Sequence, residues 1–168
     1  MTRVDRREFS GLIPHAGSMI LLDEVEQYDD QRLVAVARSH LLPENPLRDS
    51  QGRIPIACGI EYAAQAMAVH AGLLRRAAEG APHRKPCAGL LAGLRGVDFF
   101  AERLDDASSP LRIEVATLSA DDRVSLHEFE IRADGRLLLS GRATIVFDAV
   151  NLRNFPSRAA GEVSASAE

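Results

Sequence analysis

The chain has 168 residues, 46% of them hydrophobic and 26% charged, with a net charge of −4 at neutral pH. That is the size and balance of one globular domain, and at this length roughly 70% of the unfolded surface is buried on folding, so no disulfide staple is needed. Lys85 is the sole lysine and the arginines are dispersed, which argues against the concentrated basic face that nucleic acid requires. Cys58 and Cys87 form neither a CxxC pair nor a metal-ligand spacing with histidine, so reduced thiols and no metal are expected. The opening residues MTRVDRREFSGLIPH lack an apolar signal core, and no apolar run approaches the roughly 20 residues of a membrane span. A cytoplasmic location is therefore the default expectation.

Residues 1–18 read as a short helix or turn feeding a loop. A strand-like stretch starts at Met19-Ile20-Leu21-Leu22, and a second, Arg32 to Ser39, alternates Leu33, Ala35 and Ala37 against Val34, Val36 and Arg38. The polar residues 28–31 between them suit a tight turn, so the two form either a hairpin or one long bent strand. Residues 41–55 carry three prolines and a glycine among polar residues and read as a loop. An alanine-rich helix is expected from about residue 57 to 79, stopped by Gly80 and Pro82. Its first half is apolar nearly all round and should be buried on most sides; its second half acquires Arg75, Arg76 and Glu79.

Four strand-like stretches follow: Leu90 to Phe100, Leu111 to Leu118, Val124 to Arg132 and Arg136 to Asp148. Asp134-Gly135 between the last two tolerates the positive φ of a type I′ turn and predicts a tight hairpin. Residues 149–168 lose periodicity and are expected to be a flexible tail behind a domain at 1–148. The order is strand, loop, long buried helix, then an antiparallel meander. A single helix that is apolar nearly all round is best covered by one strongly curved sheet, an α+β arrangement known as the hotdog fold. Such a sheet leaves an edge that dimerisation normally protects.

No GxSxG, P-loop, GxGxxG, HExxH or EF-hand pattern is present, and no cofactor is expected. Two polar groups stand out by context. Glu61 sits near the start of the helix among Ile60, Tyr62, Ala63 and Ala64, where a carboxylate is costly unless paired, exposed or neutral. The plainer reading makes it a carboxylate on a solvated first turn, favoured by the helix dipole. Gln65, four residues on, shares its helix face. His15 lies in the loop before Met19; histidine is the commonest general acid or base, although a lone loop histidine is more often structural or merely exposed.

The order and spacing of these residues resemble a known family. Ile13-Pro14-His15-Ala16-Gly17-Ser18, leading into Met19–Leu22 and Asp23, is similar to the catalytic-histidine segment of the FabA/FabZ group of 3-hydroxyacyl-acyl carrier protein dehydratases. Pro55, Glu61 and Gln65 fall where that group has a proline, then an acidic residue followed at +4 by glutamine, at the start of its central helix. Asn45-Pro46 lies where the group has a similar loop. The wording resembles most closely the ApeP-type hotdog proteins of aryl polyene biosynthesis, which act beside a sister hotdog subunit.

The resemblance implies a dimer acting on a phosphopantetheine-linked acyl chain of an acyl carrier protein. His15 of one subunit would be the base and Glu61 of the other the acid, with Gln65 orienting Glu61 or a water. The group's glycine before the helix falls on Ile56, so Gly59 is expected to take over the backbone contact to the thioester oxygen. The group's His-Phe-Pro run is replaced by residues 48–53. Asp23 reads as structural, and His40, His70, His83 and His127 have no matched role; His70 is expected to stay out of the pocket of Glu61. Two other readings remain open: an acyl thioesterase that uses Glu61 without His15, and a non-catalytic partner subunit of a sister dehydratase.

Overall fold

A computed structural model describes residues 3–79, 89–121 and 123–147; the tail expected at 149–168 lies outside them. Seven strands form one antiparallel sheet around one long helix, the α+β hotdog arrangement. The strands are β1 (Val4–Asp5), β2 (Glu24–Tyr28), β3 (Arg32–Ala37), β4 (Gly89–Phe99), β5 (Leu111–Ala120), β6 (Val124–Ala133) and β7 (Arg136–Phe147). Helix α1 (Arg6–Phe9) is one turn closed by a capping box between Asp5 and Glu8. Helix α2 runs over Gly59–Glu79, preceded by a 3-10 turn at Ile56–Cys58.

Why the sheet closes on α2 follows from the two periodicities. Tyr62, Ala63, Ala66, Met67, Val69 and Leu73 are buried on the helix. Leu111, Ile113 and Val115 on β5 and Phe129 and Ile131 on β6 alternate inward to meet them. The Asp134-Gly135 turn takes the expected form, with φ of 51° and 71°, and sets the register Ala133↔Arg136. Residues 29–31 turn β2 into β3 as a hairpin, which settles the choice against one bent strand.

Two expectations are corrected. The sheet order is β1-β2-β3-β5-β6-β7-β4, so the last four strands are not a simple meander. On leaving α2 the chain crosses to pair β4 with β7 at one edge, and only then returns to lay β5 against β3. Nor is Met19–Leu22 a strand: Gly17–Met19 is a 3-10 turn and pairing begins at Glu24. The apolar run there reflects burial of Ile20, Leu21 and Leu22, and its backbone donors are taken by a side chain of α2, described below.

The long connection before α2 is tied down by Asp105. Its carboxylate accepts from Ile54 N at 2.9 Å, Arg48 Nη1 at 3.1 Å and Arg103 Nη2 at 2.6 Å. The Arg103 guanidinium holds this carboxyl well below the usual carboxylate range. Arg48 therefore does structural work in the stretch where the resembling family carries His-Phe-Pro.

Candidate active site

The site is built where the loop carrying His15 meets the first turn of α2. His15 Nε2 lies 3.0 Å from Glu61 Oε1, with 24% and 38% of the respective side chains exposed. The carboxylate that looked costly in the sequence is thus both paired and partly solvated. Both residues belong to the same chain. Within one chain the two are already in contact, where the sequence led to the expectation that His15 of one subunit faces Glu61 of another.

Gln65 explains how. It is fully buried, and its carboxamide oxygen accepts from Leu21 N at 2.7 Å and Leu22 N at 3.3 Å while its Nε2 donates to Met19 O at 2.8 Å. The amide thus substitutes for a neighbouring strand, satisfying backbone groups that would otherwise be orphaned. It straps the segment that follows His15 onto α2. Arg6 adds a bond to Gly17 O. Gln65, expected to orient Glu61 or a water, has its polar atoms engaged with the backbone of residues 19–22.

Gly59 is likewise placed by packing. Its N–H is bonded to Ile56 O, and a Cβ at this position would fall inside the contact distance of Leu139 Cδ2. The glycine lets the start of α2 approach β7, and its N–H, expected at the thioester oxygen, is bonded within the turn. Ile56 N is also engaged, with Glu102 O at 2.9 Å.

Residues that the sequence did not single out complete the scaffold. Tyr62 OH contacts Ser39 Oγ at 2.8 Å and accepts from Asn45 Nδ2 at 3.0 Å, and Ser39 Oγ donates to Leu21 O at 2.9 Å. Burial pushes the Tyr62 phenol up. This network pins the next residue after Glu61 to the loop before the helix. Asp23 accepts from Arg38 N at 2.6 Å at the end of β3, a structural position. His70 is buried, with Nε2 toward Asp29 O at 2.8 Å, and does not line the pocket of Glu61.

Behind the pair opens a cavity of about 160 Å³. It runs along a stripe of small residues on α2, Ala64, Ala68 and Ala71, that continues the face of Glu61. Ile145 and Phe147 of β7 and Leu91 of β4 form the opposite wall. Of the described side chains lining it, only His15, Glu61 and His127 carry nitrogen or oxygen. Such a cleft suits a long apolar group with a polar end at His15 and Glu61. Among the described residues no three histidine, cysteine, aspartate or glutamate side chains gather as a metal site, and no helix is long and apolar enough to cross a membrane.

Solved structures share this architecture. The dehydratase heterocomplex ApeI:P from Xenorhabdus doucetiae contains a chain 24% identical, with a TM-score of 0.76 over 88% of this chain and 98% of that one. AziG from S. sahachiroi is 17% identical, with a TM-score of 0.51 over 75% and 90% of the two chains. A hypothetical thioesterase with coenzyme A from Streptococcus pneumoniae TIGR4 is 13% identical, with a TM-score of 0.51 over 73% and 83%. At these identities the likeness is one of fold. No curated protein matches the chain. The ApeP dehydratase family, ApeP-like, matches residues 7–156, nearly the whole chain, and the protein belongs to that family.

Proposed function

We propose that the chain removes water from a 3-hydroxyacyl thioester carried by an acyl carrier protein, giving a trans-2-enoyl thioester. The observation that carries this reading is the His15–Glu61 contact at the mouth of an otherwise apolar cavity. Dehydration needs a base for the C2 proton and an acid for the departing C3 hydroxyl, and these are adjacent carbons. Two groups 3.0 Å apart need separate only enough to admit that two-carbon unit. With its proton on Nδ1, the His15 ring accepts at Nε2, takes the C2 proton there, and leaves Glu61 to deliver a proton to the hydroxyl. The electron pair of the C2–H bond becomes the new double bond, and water leaves. Each group is worth about 10²–10⁴ in rate.

A second hotdog chain is the partner this reading expects. Strand β4 ends the sheet beside β7, and Leu90, Leu94, Phe99 and Phe100 stand exposed on it or next to it. An uncovered apolar sheet edge is a pairing surface. The Xenorhabdus doucetiae structure is named as a heterocomplex, which supports a sister subunit as the occupant.

The test is turnover of a 3-hydroxyacyl-phosphopantetheine protein by the purified chain, alone and with a sister hotdog subunit, read as loss of water by mass spectrometry. Formation of the enoyl product supports the reading. Release of free acid in its place would make the protein a thioesterase. Neither product, with or without the sister, would leave only a structural role.

A further inference from the structure

One side of the cavity is ruled off by a single helix. Glu61, Ala64, Ala68 and Ala71 line it in succession, spaced along α2 so that they share one face. At about 1.5 Å per residue, Ala64 stands about 5 Å beyond Glu61 along the helix axis, Ala68 about 10 Å and Ala71 about 15 Å. The facing wall comes from the β4–β7 ladder, where Leu91 pairs with Ile145 and both line the same space. The ring nitrogens of His127, which also lines it, are taken up by Ser125 Oγ at 2.8 Å and Thr117 Oγ1 at 3.3 Å. Beyond Glu61 the described lining therefore behaves as apolar.

Small side chains keep this space open. On its core side the same helix carries Tyr62, Val69 and Leu73, all fully buried, and protein interiors leave few voids larger than a water molecule. On the face of Glu61 the alanines leave about 160 Å³ unfilled, the scale of an engineered apolar cavity that takes up benzene. The order of residues gives the space a direction. The imidazole and carboxyl stand at the start, and after them α2 presents only methyl groups across from leucine and isoleucine. An acyl tail whose second and third carbons sit at His15 and Glu61 runs along the alanines. Each alanine is then a point at which a larger side chain would end its path.

Resting on the reading of the cavity as the acyl site, we propose that Ala68 and Ala71 are specificity-determining residues that set how long an acyl tail the site accepts. Ala71 bounds the longest tail, about 15 Å along α2 from Glu61, and Ala68 holds open the last third of that path. The substrate class favoured is an apolar tail long enough to reach Ala71, over one that stops at Ala64.

Binding of unreactive ligands tests this without requiring turnover. The full chain is titrated with a ladder of straight-chain acyl-pantetheine amides, from butyryl through octanoyl to longer chains. Each methylene that enters the cavity is expected to tighten binding about fourfold, and the gain should stop once the tail passes Ala71. Ala71→Leu should end the gain at a shorter chain than wild type, and Ala68→Leu at a shorter chain still, because its added isopropyl group stands nearer Glu61. The butyryl amide stops before either position and should bind all three proteins equally, which also reports an intact fold. Ala77→Leu, on an exposed part of the same helix away from the cavity, should leave the ladder as in wild type. The same limit in wild type and both cavity variants, a limit shortened more by Ala71→Leu than by Ala68→Leu, an equal loss of affinity at every length, or a limit shortened by Ala77→Leu would each overturn the proposal. Failure of the dehydratase reading shows elsewhere, as absent turnover of a short 3-hydroxyacyl thioester.

Discussion

At the scale of the residue, the pair His15 and Glu61 was legible because two short motifs stood in the right order and at the right separation. What they could not tell was which chain supplies which member. That depends on Gln65, whose bonds reach back to residues 19–22, a tertiary fact with no local signature. Replacing Gln65 by leucine strands two buried N–H groups and a carbonyl. We expect a stability loss of about 2–4 kcal/mol by chemical denaturation, together with a fall in kcat as the His15 loop loosens; unchanged stability would contradict the strap. His127 was passed over, yet its signal was present: strand period puts it on the same face as Phe129 and Ile131.

Its titration gives a second expectation. The folded state holds His127 at about 4, through burial first and the charge of His70 second, and burial also lowers His40. Between that value and the unfolded pKa of about 6.5 the unfolded chain binds protons that the folded chain refuses, so stability falls as pH drops through this window. Urea unfolding at pH 7 and pH 5 should show the loss, and His127→Leu should narrow the difference between the two. An equal difference in both proteins would contradict the burial argument.

At the scale of the element, the hairpin β6–β7 was readable from Asp134-Gly135, because a type I′ turn is a local property of two residues. Helix α2 was readable to within two residues of its start, from composition and its stop signals. The mistaken strand at Met19–Leu22 shows the limit of periodicity: a buried apolar run is compatible with any backbone whose polar groups find partners, and these found Gln65. Gly59 offers a test of element packing. Gly59→Ala places a methyl against Leu139 and should destabilise by about 1–3 kcal/mol despite the better helix propensity of alanine. Shortening Leu139 to valine in the same protein should recover part of that loss, a coupling that two independent sites would not show. Between β4 and β5, Asp105→Ala leaves Arg48 and Arg103 without their shared anion, and we expect a loss of about 3 kcal/mol by thermal or urea unfolding.

At the scale of the whole molecule, the curved sheet around a single helix was legible, since one helix apolar on most sides admits few coverings. Strand order was not, because the partner of β4 is β7, some fifty residues away, and pairing at that distance is settled by closure of the sheet rather than by local pattern. The exposed leucines and phenylalanines along β4 carry the expectation of association. Leu94→Lys with Phe99→Lys should abolish complex formation in sedimentation measurements while leaving the monomer folded. A complex that persists would place the partner elsewhere.

The central claim is that one chain supplies both members of the reacting pair. It is tested most directly by mixing two inactive proteins, His15→Ala and Glu61→Gln, after co-expression or joint refolding, and measuring dehydration of a 3-hydroxyacyl thioester. With the pair closed within a chain, every site in the mixture lacks one member, and the mixture stays as inactive as either variant alone. Recovery of a substantial fraction of wild-type activity would mean that His15 of one chain works with Glu61 of another, and would contradict the account.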